Sequence, residues 1–200
     1  MSTATPDRAR RVRADAQRNI DALIAAAREV FSVSGVDAPV REIAGKAGVG
    51  LATFYRHFPE RSDLVTAVFR HEVDACADTA ATLAAEYEPL EALIRWLHRF
   101  TEFVGAKRGL ASALHSGNPA FEPLPAYFQQ RFEPALGSLL AAAAAAGQVR
   151  GDVEPLELLH AVSRLCSPAG VDHAGDERMV ALLIDGLRYG AKPDPRSAGH

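Results

Sequence analysis

Residues 40–64, VREIAGKAGVGLATFYRHFPERSDL, determine the architecture of the N-terminal part of the chain. Their pattern predicts two short helices, residues 39–47 and 51–57, because both segments place apolar residues at helical spacing. The turn between them lies at Gly48, since a residue without a side chain permits a sharp change of direction there. Two short helices joined by a tight turn are typical of a helix-turn-helix.

The second of these helices has the composition of a surface that enters a DNA groove. Phe54 and Phe58 are spaced to point into a core, and this leaves a different set of residues outward. The outward residues are Leu51, Ala52, Tyr55 and Arg56. A short helix with such large outward side chains contributes little to a core, whereas it is suited to reading a groove.

Helical periodicity continues through the rest of the chain, and no alternating run bounded by turn residues predicts a strand. The first helix, residues 15–34, has an apolar stripe that ends near Phe31, and Gly35 follows as a left-handed cap. The later predicted helices cover residues 61–87, 90–106, 110–115, 123–146, 155–166 and 176–189. The fold class is therefore all-α, with about nine helices.

These helices divide into two domains with a tail at each end. Residues 1–14 are predicted to be a flexible basic arm and residues 15–60 a three-helix helix-turn-helix domain. Residues 61–190 form a larger helical domain for ligand binding and dimerisation, while residues 191–200, which contain no large apolar side chain, are a flexible tail.

The charge of the chain is unevenly distributed, although its net value is only −3. Residues 1–70 carry 11 Lys and Arg against 8 Asp and Glu, a balance of +3, and residues 71–200 carry 11 against 17, a balance of −6. The basic excess is greatest between Arg8 and Arg18. A basic end joined to an acidic body indicates a protein with one DNA-facing domain.

The helix-turn-helix segment resembles that of a known family. Its pattern is IA-x-x-AGV-x-x-x-T-x-Y-x-HF, preceded by Ala27, Phe31 and Gly35, and it resembles the N-terminal domain of TetR-type repressors over about residues 16–66. The resemblance implies that residues 51–57 enter the major groove. It also implies phosphate contacts, by Thr53, Tyr55, His57 and Arg61, and a contact of Arg41 with a phosphate or a base.

The start of the reading helix departs from the family pattern. Gly50 stands where the family often has Ser or Thr, and it is a weaker N-cap. Leu51 and Ala52 cannot donate hydrogen bonds to base edges, so they are expected to contact thymine methyl groups. Hydrogen bonds to bases are then expected from Arg56, Arg41 or the arginine-rich arm.

The last predicted helix indicates a dimer, because it is apolar around most of its circumference and its glycines permit close approach of another helix. The candidate interface residues are Leu159, Val162, Met179, Leu183, Gly186 and Leu187. The alternative is that these side chains serve only the core of one protomer. In TetR-like proteins the last two long helices form a dimeric four-helix bundle. The two helix-turn-helix domains of such a dimer are suited to a palindromic DNA site.

A ligand site is expected in the C-terminal domain, since TetR-like proteins bind small molecules there. The candidate residues are Trp96, Phe100, Phe103, His115 and Phe128. An aromatic stripe at helical spacing also fits an ordinary core, so the two interpretations stay open.

Catalytic, metal and membrane functions find little support in the sequence. There is no nucleophile motif or phosphate-binding glycine loop, and the lone Glu157/His160 pair lacks the second pair that a di-iron bundle needs. His71, Asp74 and Asp78 share one helix face that is expected to be solvated. We therefore expect a protein that is not an enzyme and has no cofactor or metal.

The sequence also predicts the location of the protein, because it contains neither a membrane-spanning segment nor a signal peptide. The longest uncharged apolar stretch, residues 136–147, is too short to cross a bilayer, and the N-terminus lacks the apolar core of a signal peptide. Cys76 and Cys166 are expected to be free thiols, which places the chain in the cytoplasm.

Two functions remain from these observations. The first is a homodimeric repressor that a small-molecule effector releases from a palindromic operator in double-stranded DNA. The second is an interaction protein whose helix-turn-helix no longer recognises a specific sequence, which the apolar pair Leu51 and Ala52 keeps open.

Overall fold

The computed structural model describes residues 6–106, 110–114, 116–166 and 173–189. Over these ranges the chain is all-α and has no strand, with nine α-helices and a short 3-10 turn at Pro119–Phe121. The helices are α1 (Pro6–Ser34), α2 (Val40–Lys46), α3 (Leu51–His57), α4 (Arg61–Glu86), α5 (Pro89–Ala106), α6 (Ala111–Leu114), α7 (Leu124–Ala145), α8 (Pro155–Leu165) and α9 (His173–Arg188). The predicted fold class is confirmed. None of these helices combines the length and hydropathy that crossing a membrane requires.

The first helix begins earlier than the sequence pattern predicts. It starts at Pro6 rather than at residue 15, so most of the expected flexible arm is helical. Proline is favourable at the first position of a helix, and the alanines and arginines that follow have high helix propensity. The prediction failed because it relied on an apolar stripe, and this basic segment has none. Residues 1–5 and the predicted tail, residues 191–200, lie outside the described residues.

Two glycines with positive φ shape the N-terminal helices. Gly35 has a φ of 72° and ends α1, and its N–H donates to the carbonyl of Phe31 at 3.1 Å. Gly48 has a φ of 67° in the turn between α2 and α3, as the sequence predicted. Any L-residue with a side chain is strained at such a φ, so both turns depend on glycine.

The chain divides into two compact units, and the division differs from the predicted boundary at residue 61. The N-terminal unit contains Met1–His71 together with Gly109–Glu122, and the C-terminal unit contains Glu72–Arg108 and Pro123–His200. The boundary therefore lies within α4. The first part of α4 carries buried residues that belong to the N-terminal unit. The apolar pattern of α4 continues across the boundary, so the pattern does not show where one unit ends and the other begins.

The C-terminal unit has an aromatic core between α5 and α7. The rings of Trp96 and Phe100 stack at 5.6 Å between centroids, and Phe132 meets both of them edge-on. Helix α5 also packs against α8 and α9, and α7 packs against α8. Pro134 lies inside α7, as predicted, without ending that helix.

A polar network joins the second half of α4 to α7. Asp74 accepts hydrogen bonds from the Tyr127 hydroxyl at 2.7 Å and from the Arg131 Nε at 2.6 Å. Arg131 also donates to Asp78 at 2.6 Å, and these two carboxylates raise the pKa of its guanidinium. The expectation of a simply solvated face is therefore wrong for Asp74, whose partners lie more than fifty positions away, whereas the side chain of Asp78 is 70% exposed, as expected.

Candidate nucleic-acid interface

Helix α3 is held by one buried side chain and presents the others outward. Phe54 is 1% exposed, whereas Leu51 is 40% and Tyr55 53% exposed. The ring of Phe54 contacts that of Phe58, with centroids 6.0 Å apart. The carbonyl of Gly50 accepts from the N–H groups of Thr53 and Phe54 at the first turn, although Gly50 has no side chain to add a cap. The outer face of α3 is therefore free to contact a partner.

An ion pair on the surface joins α2 to α1. The Lys46 ammonium lies 2.6 Å from a carboxylate oxygen of Glu29, and this hydrogen bond lowers the pKa of Glu29. Both side chains are about half exposed, so the pair contributes little to stability.

A surface cleft of about 750 Å³ lies between the start of α2 and the outer face of α3. It brings together four of the predicted DNA-binding residues, Arg41, Leu51, Tyr55 and Arg61. Pro39, Val40 and Glu42 complete its lining. A cleft with two arginines and a tyrosine hydroxyl has the donors that a phosphate oxygen accepts from.

The remaining predicted residues of α3 lie outside this cleft. Gly50, Ala52 and Arg56 are exposed along the helix, while Thr53 and His57 are partly buried. The Nε2 atom of His57 is covered by protein and has no hydrogen-bond partner. A phosphate contact through that atom therefore requires the imidazole ring to turn.

Arg61 has a structural role that the sequence did not reveal. Its Nη1 donates to the carbonyls of Val36 and Ala38, at 2.9 Å for Ala38. Val36 and Ala38 are both buried in the loop between α1 and α2. Because a buried carbonyl needs a donor, the guanidinium restrains this loop in addition to any contact with DNA.

Replacing Arg61 with methionine should therefore lower the stability of the protein as well as its affinity for DNA. Loss of a charged donor to buried carbonyls costs about 1–3 kcal/mol, which urea unfolding measures. The matched control is Arg41→Met, because Arg41 is exposed in the same cleft. The control should leave the unfolding midpoint unchanged. Equal midpoints for both variants would show that Arg61 does not restrain the loop.

The predicted dimer residues of the C-terminal helices divide into a buried set and an exposed set. Leu159, Val162 and Leu187 are buried within the protomer, where they belong to its core. Met179 is 43% exposed, Gly186 is exposed and Leu183 is partly buried. Leu182, which is 65% exposed, was not among the predicted interface residues. Its spacing from Met179 and Gly186, three and four positions, could have grouped it with them.

The predicted ligand residues lie together in the aromatic core. Trp96, Phe100 and Phe103 are buried, and Phe128 is partly buried with its ring 4.7 Å from that of Phe132. The rings contact one another, which fits the interpretation as core. Trp96 nevertheless has a buried indole N–H without a hydrogen-bond partner. His115 lies outside the described residues.

Two family profiles match the chain. Residues 23–68 match the bacterial regulatory proteins of the tetR family, and residues 88–189 match the C-terminal domain of SbtR-like transcriptional regulators. The first match spans α2 and α3, and the second spans α5 to α9. Among curated proteins, none matches the chain.

Several solved structures share the fold. A TetR transcriptional regulator from Streptomyces coelicolor is 38% identical, with 86% of this chain and 99% of that chain covered and a TM-score of 0.70. A TetR transcription regulatory protein from Mycobacterium vanbaalenii is 37% identical, with coverages of 88% and 99% and a TM-score of 0.70. LfrR from Mycobacterium smegmatis, solved in complex with proflavine, shares the fold at 24% identity, with coverages of 89% and 98% and a TM-score of 0.64.

Proposed function

Since this chain belongs to the TetR family of bacterial regulatory proteins, we propose that it is a homodimeric repressor which a small molecule releases from a palindromic operator. The observation that carries this proposal is the outer face of α3 beside the cleft that Arg41 and Tyr55 line. Its site of action is the cytoplasm, where bacterial DNA lies. A catalytic role has no support in the residues of this surface.

The proposed contacts with the operator are of two kinds, to the DNA backbone and to the bases. Arg41 and Tyr55 bind phosphates and fix the register of α3, because contacts to the DNA backbone position a protein without reading sequence. Leu51 and Ala52 lie at the exposed start of α3 and contact thymine methyl groups. Arg56 is exposed on the same helix and supplies hydrogen bonds to a base edge.

Dimerisation is proposed to use the exposed face of α9. Met179, Leu182 and Gly186 are related by i, i+3 and i+7 spacing, so they share one face of the helix. Val180, Ile184 and Leu187 share a different face of the helix and are buried in the protomer. A helix with apolar residues on both faces is suited to packing against its own core and against a second copy.

The effector is proposed to bind in the C-terminal unit beside Trp96. LfrR from Mycobacterium smegmatis, which shares the fold, was solved in complex with proflavine, and this supports a small-molecule ligand for this chain also. The indole N–H of Trp96 is buried without an acceptor, so an effector with an acceptor atom would remove the cost of leaving it unpaired. Binding would shift α4, which contributes to both units. This shift would change the distance between the two helix-turn-helix domains of the dimer.

The experiment that tests the function has two stages. Duplexes that the full-length protein retains are first selected from random DNA, and their affinities are measured across salt concentrations. We expect a palindrome with half-sites one turn apart, about 34–36 Å, or a multiple of that distance. Equal affinity for the selected and random duplexes at every salt concentration would contradict a repressor and favour the interaction protein.

The second stage screens small molecules for release of the selected duplex. Trp96 is the only tryptophan of the chain, so its fluorescence reports on binding near the aromatic core. We expect molecules that release the duplex also to change this emission. Release without any change in emission would place the effector elsewhere.

A further inference from the structure

Of the described residues that line the cleft between α2 and α3, Glu42 is the one with a carboxylate. It is exposed in the first turn of α2, and Arg41, Leu51 and Tyr55 line the same cleft. Within the described part of the chain, the Glu42 side chain forms no ion pair and no hydrogen bond. Its negative charge is therefore available at the surface that is proposed to face DNA.

The two arginines of the cleft do not pair with Glu42. Arg41 is its neighbour in sequence, and consecutive residues of a helix do not face each other. Arg61 directs its Nη1 to the backbone carbonyls of Val36 and Ala38. The carboxylate is thus left to water, or to a molecule that replaces the water.

DNA offers a carboxylate few partners. An ionised carboxylate only accepts hydrogen bonds, whereas thymine O4 and guanine O6 and N7 are acceptors themselves. The phosphates repel it through their charge. The donors that remain in the major groove are the amino groups at N4 of cytosine and N6 of adenine. A carboxylate on this surface is therefore unfavourable beside the DNA backbone and favourable only at particular bases.

The edges of the bases favour cytosine over adenine as the partner of Glu42. A carboxylate that approaches N6 of adenine also meets the acceptor N7, whereas the edge of cytosine has no acceptor next to N4 on that side. Leu51 lies in the same cleft and is 40% exposed, and an apolar side chain is suited to the methyl group of thymine. Since both residues line one cleft, we expect them to reach neighbouring pyrimidines.

We propose that Glu42 is a specificity-determining residue, whose carboxylate accepts a hydrogen bond from N4 of a cytosine beside the thymine that Leu51 contacts. This inference rests on the proposed function, and it adds a base contact from α2 to those proposed for α3. Repulsion between Glu42 and the phosphates opposes binding in every register that lacks this cytosine. The same charge therefore favours one sequence and disfavours the others.

A structural role for Glu42 is the alternative. An acidic residue in the first turn of a helix interacts favourably with the helix dipole, and Glu42 has this position in α2. That role predicts that replacing Glu42 lowers stability and weakens binding to every duplex by the same factor. The contact with cytosine instead predicts opposite changes for different duplexes, so affinity measurements separate the two roles.

The test compares Glu42→Gln with the wild type on the selected duplex and on duplexes in which each half-site position is varied in turn. The wild type should prefer cytosine at one position by about 5- to 100-fold, as expected for a good contact with a base edge. Glutamine pairs with N6 and N7 of adenine, so the variant should prefer adenine at that position. Its affinity for a random duplex should rise, because a charge that repels phosphates is removed.

The matched control is Asp37→Asn, because Asp37 is an exposed carboxylate of the same unit that lines a different cleft. This variant also removes one negative charge, but it should keep the preference for cytosine. Leu51→Ala should relax the preference for the neighbouring thymine and keep that for cytosine. Urea unfolding checks that each variant is folded.

The outcomes separate this inference from the proposed function. If Glu42→Gln keeps the base preferences of the wild type at every position, the inference is overturned and the proposed function stands. Weaker binding to every duplex by one factor, with a lower unfolding midpoint, would also overturn it and assign Glu42 to the stability of α2. A wild type that binds selected and random duplexes equally would overturn the proposed function, and this inference with it.

Discussion

Replacing Leu182 with glutamate is expected to convert the proposed homodimer into a monomer of 21.4 kDa without unfolding the protomer. Leu182 is 65% exposed, so its removal from a single chain takes little away from the core. In a twofold-symmetric dimer the same face of α9 meets its copy, and each substitution is present twice. The variant would then bury two carboxylates where two leucines had been.

The expected loss of dimer affinity follows from the burial of the two Leu182 side chains at the interface. Burying a leucine side chain contributes about 1.5–3 kcal/mol, and the symmetric interface loses two of them. Unpaired carboxylates in an apolar interface add a further penalty. Dimerisation should therefore weaken at least about 100- to 1,000-fold, since each 1.4 kcal/mol is tenfold. Sedimentation equilibrium at micromolar concentration measures this directly.

The same variant should lose most of its affinity for the operator, although each helix-turn-helix domain stays folded. A dimer presents two copies of α3 to a palindrome, whereas a monomer binds one half-site with far lower affinity. The matched control is Val33→Glu, because Val33 is an exposed apolar residue on α1 rather than on α9. If the Leu182 variant remains a dimer that binds the selected duplex, the interface lies elsewhere.

The sequence predicted the helices well where apolar stripes and turn residues coincide. Helix α3 was placed correctly at Leu51–His57, because a glycine turn precedes it and Phe58-Pro59 follows it. The start of α1 was placed too late, since the arginines of its first turns provide no stripe. Periodicity detects an apolar face, and the sequence of this segment has none.

The site was only partly predictable, because periodicity does not say which of two apolar faces points inward. Both faces of α9 are apolar, and Leu187 was assigned to the interface although it is buried in the protomer. Arg61 was recognised as a donor, but its acceptors are carbonyls 23 and 25 positions earlier in the chain. Such pairings depend on tertiary structure, which one sequence does not provide.

Replacing Phe54 with alanine is expected to have the largest effect within the N-terminal unit. Phe54 is the buried side chain of α3, a helix of 7 residues, and short isolated helices are not stable in water. Removing a buried phenylalanine ring costs about 3–5 kcal/mol. The anchor of α3 would be lost, together with the edge-on contact of Phe54 with the Tyr55 ring at 5.3 Å.

The consequence for DNA should be much larger than that of removing any single contact. Tyr55, Leu51 and Arg56 are positioned only while α3 is folded on α2, so the variant should lose at least about 100-fold in affinity for every duplex, which corresponds to about 2.7 kcal/mol. Filter binding measures the affinity, and urea unfolding followed by circular dichroism measures the stability. The C-terminal unit should unfold near its original midpoint, because Trp96 and its neighbouring rings are unchanged.

Leu51→Ala separates loss of the fold from loss of a contact. Leu51 lies on the same helix but is 40% exposed, so its truncation should leave the unfolding of the N-terminal unit unchanged. It should alter the selected sequence only where a thymine methyl group is contacted. If Phe54→Ala binds the selected duplex with wild-type affinity, α3 is held by other interactions and Phe54 is not its anchor. Phe54→Leu should recover most of the binding, because a buried leucine restores part of the lost apolar contact.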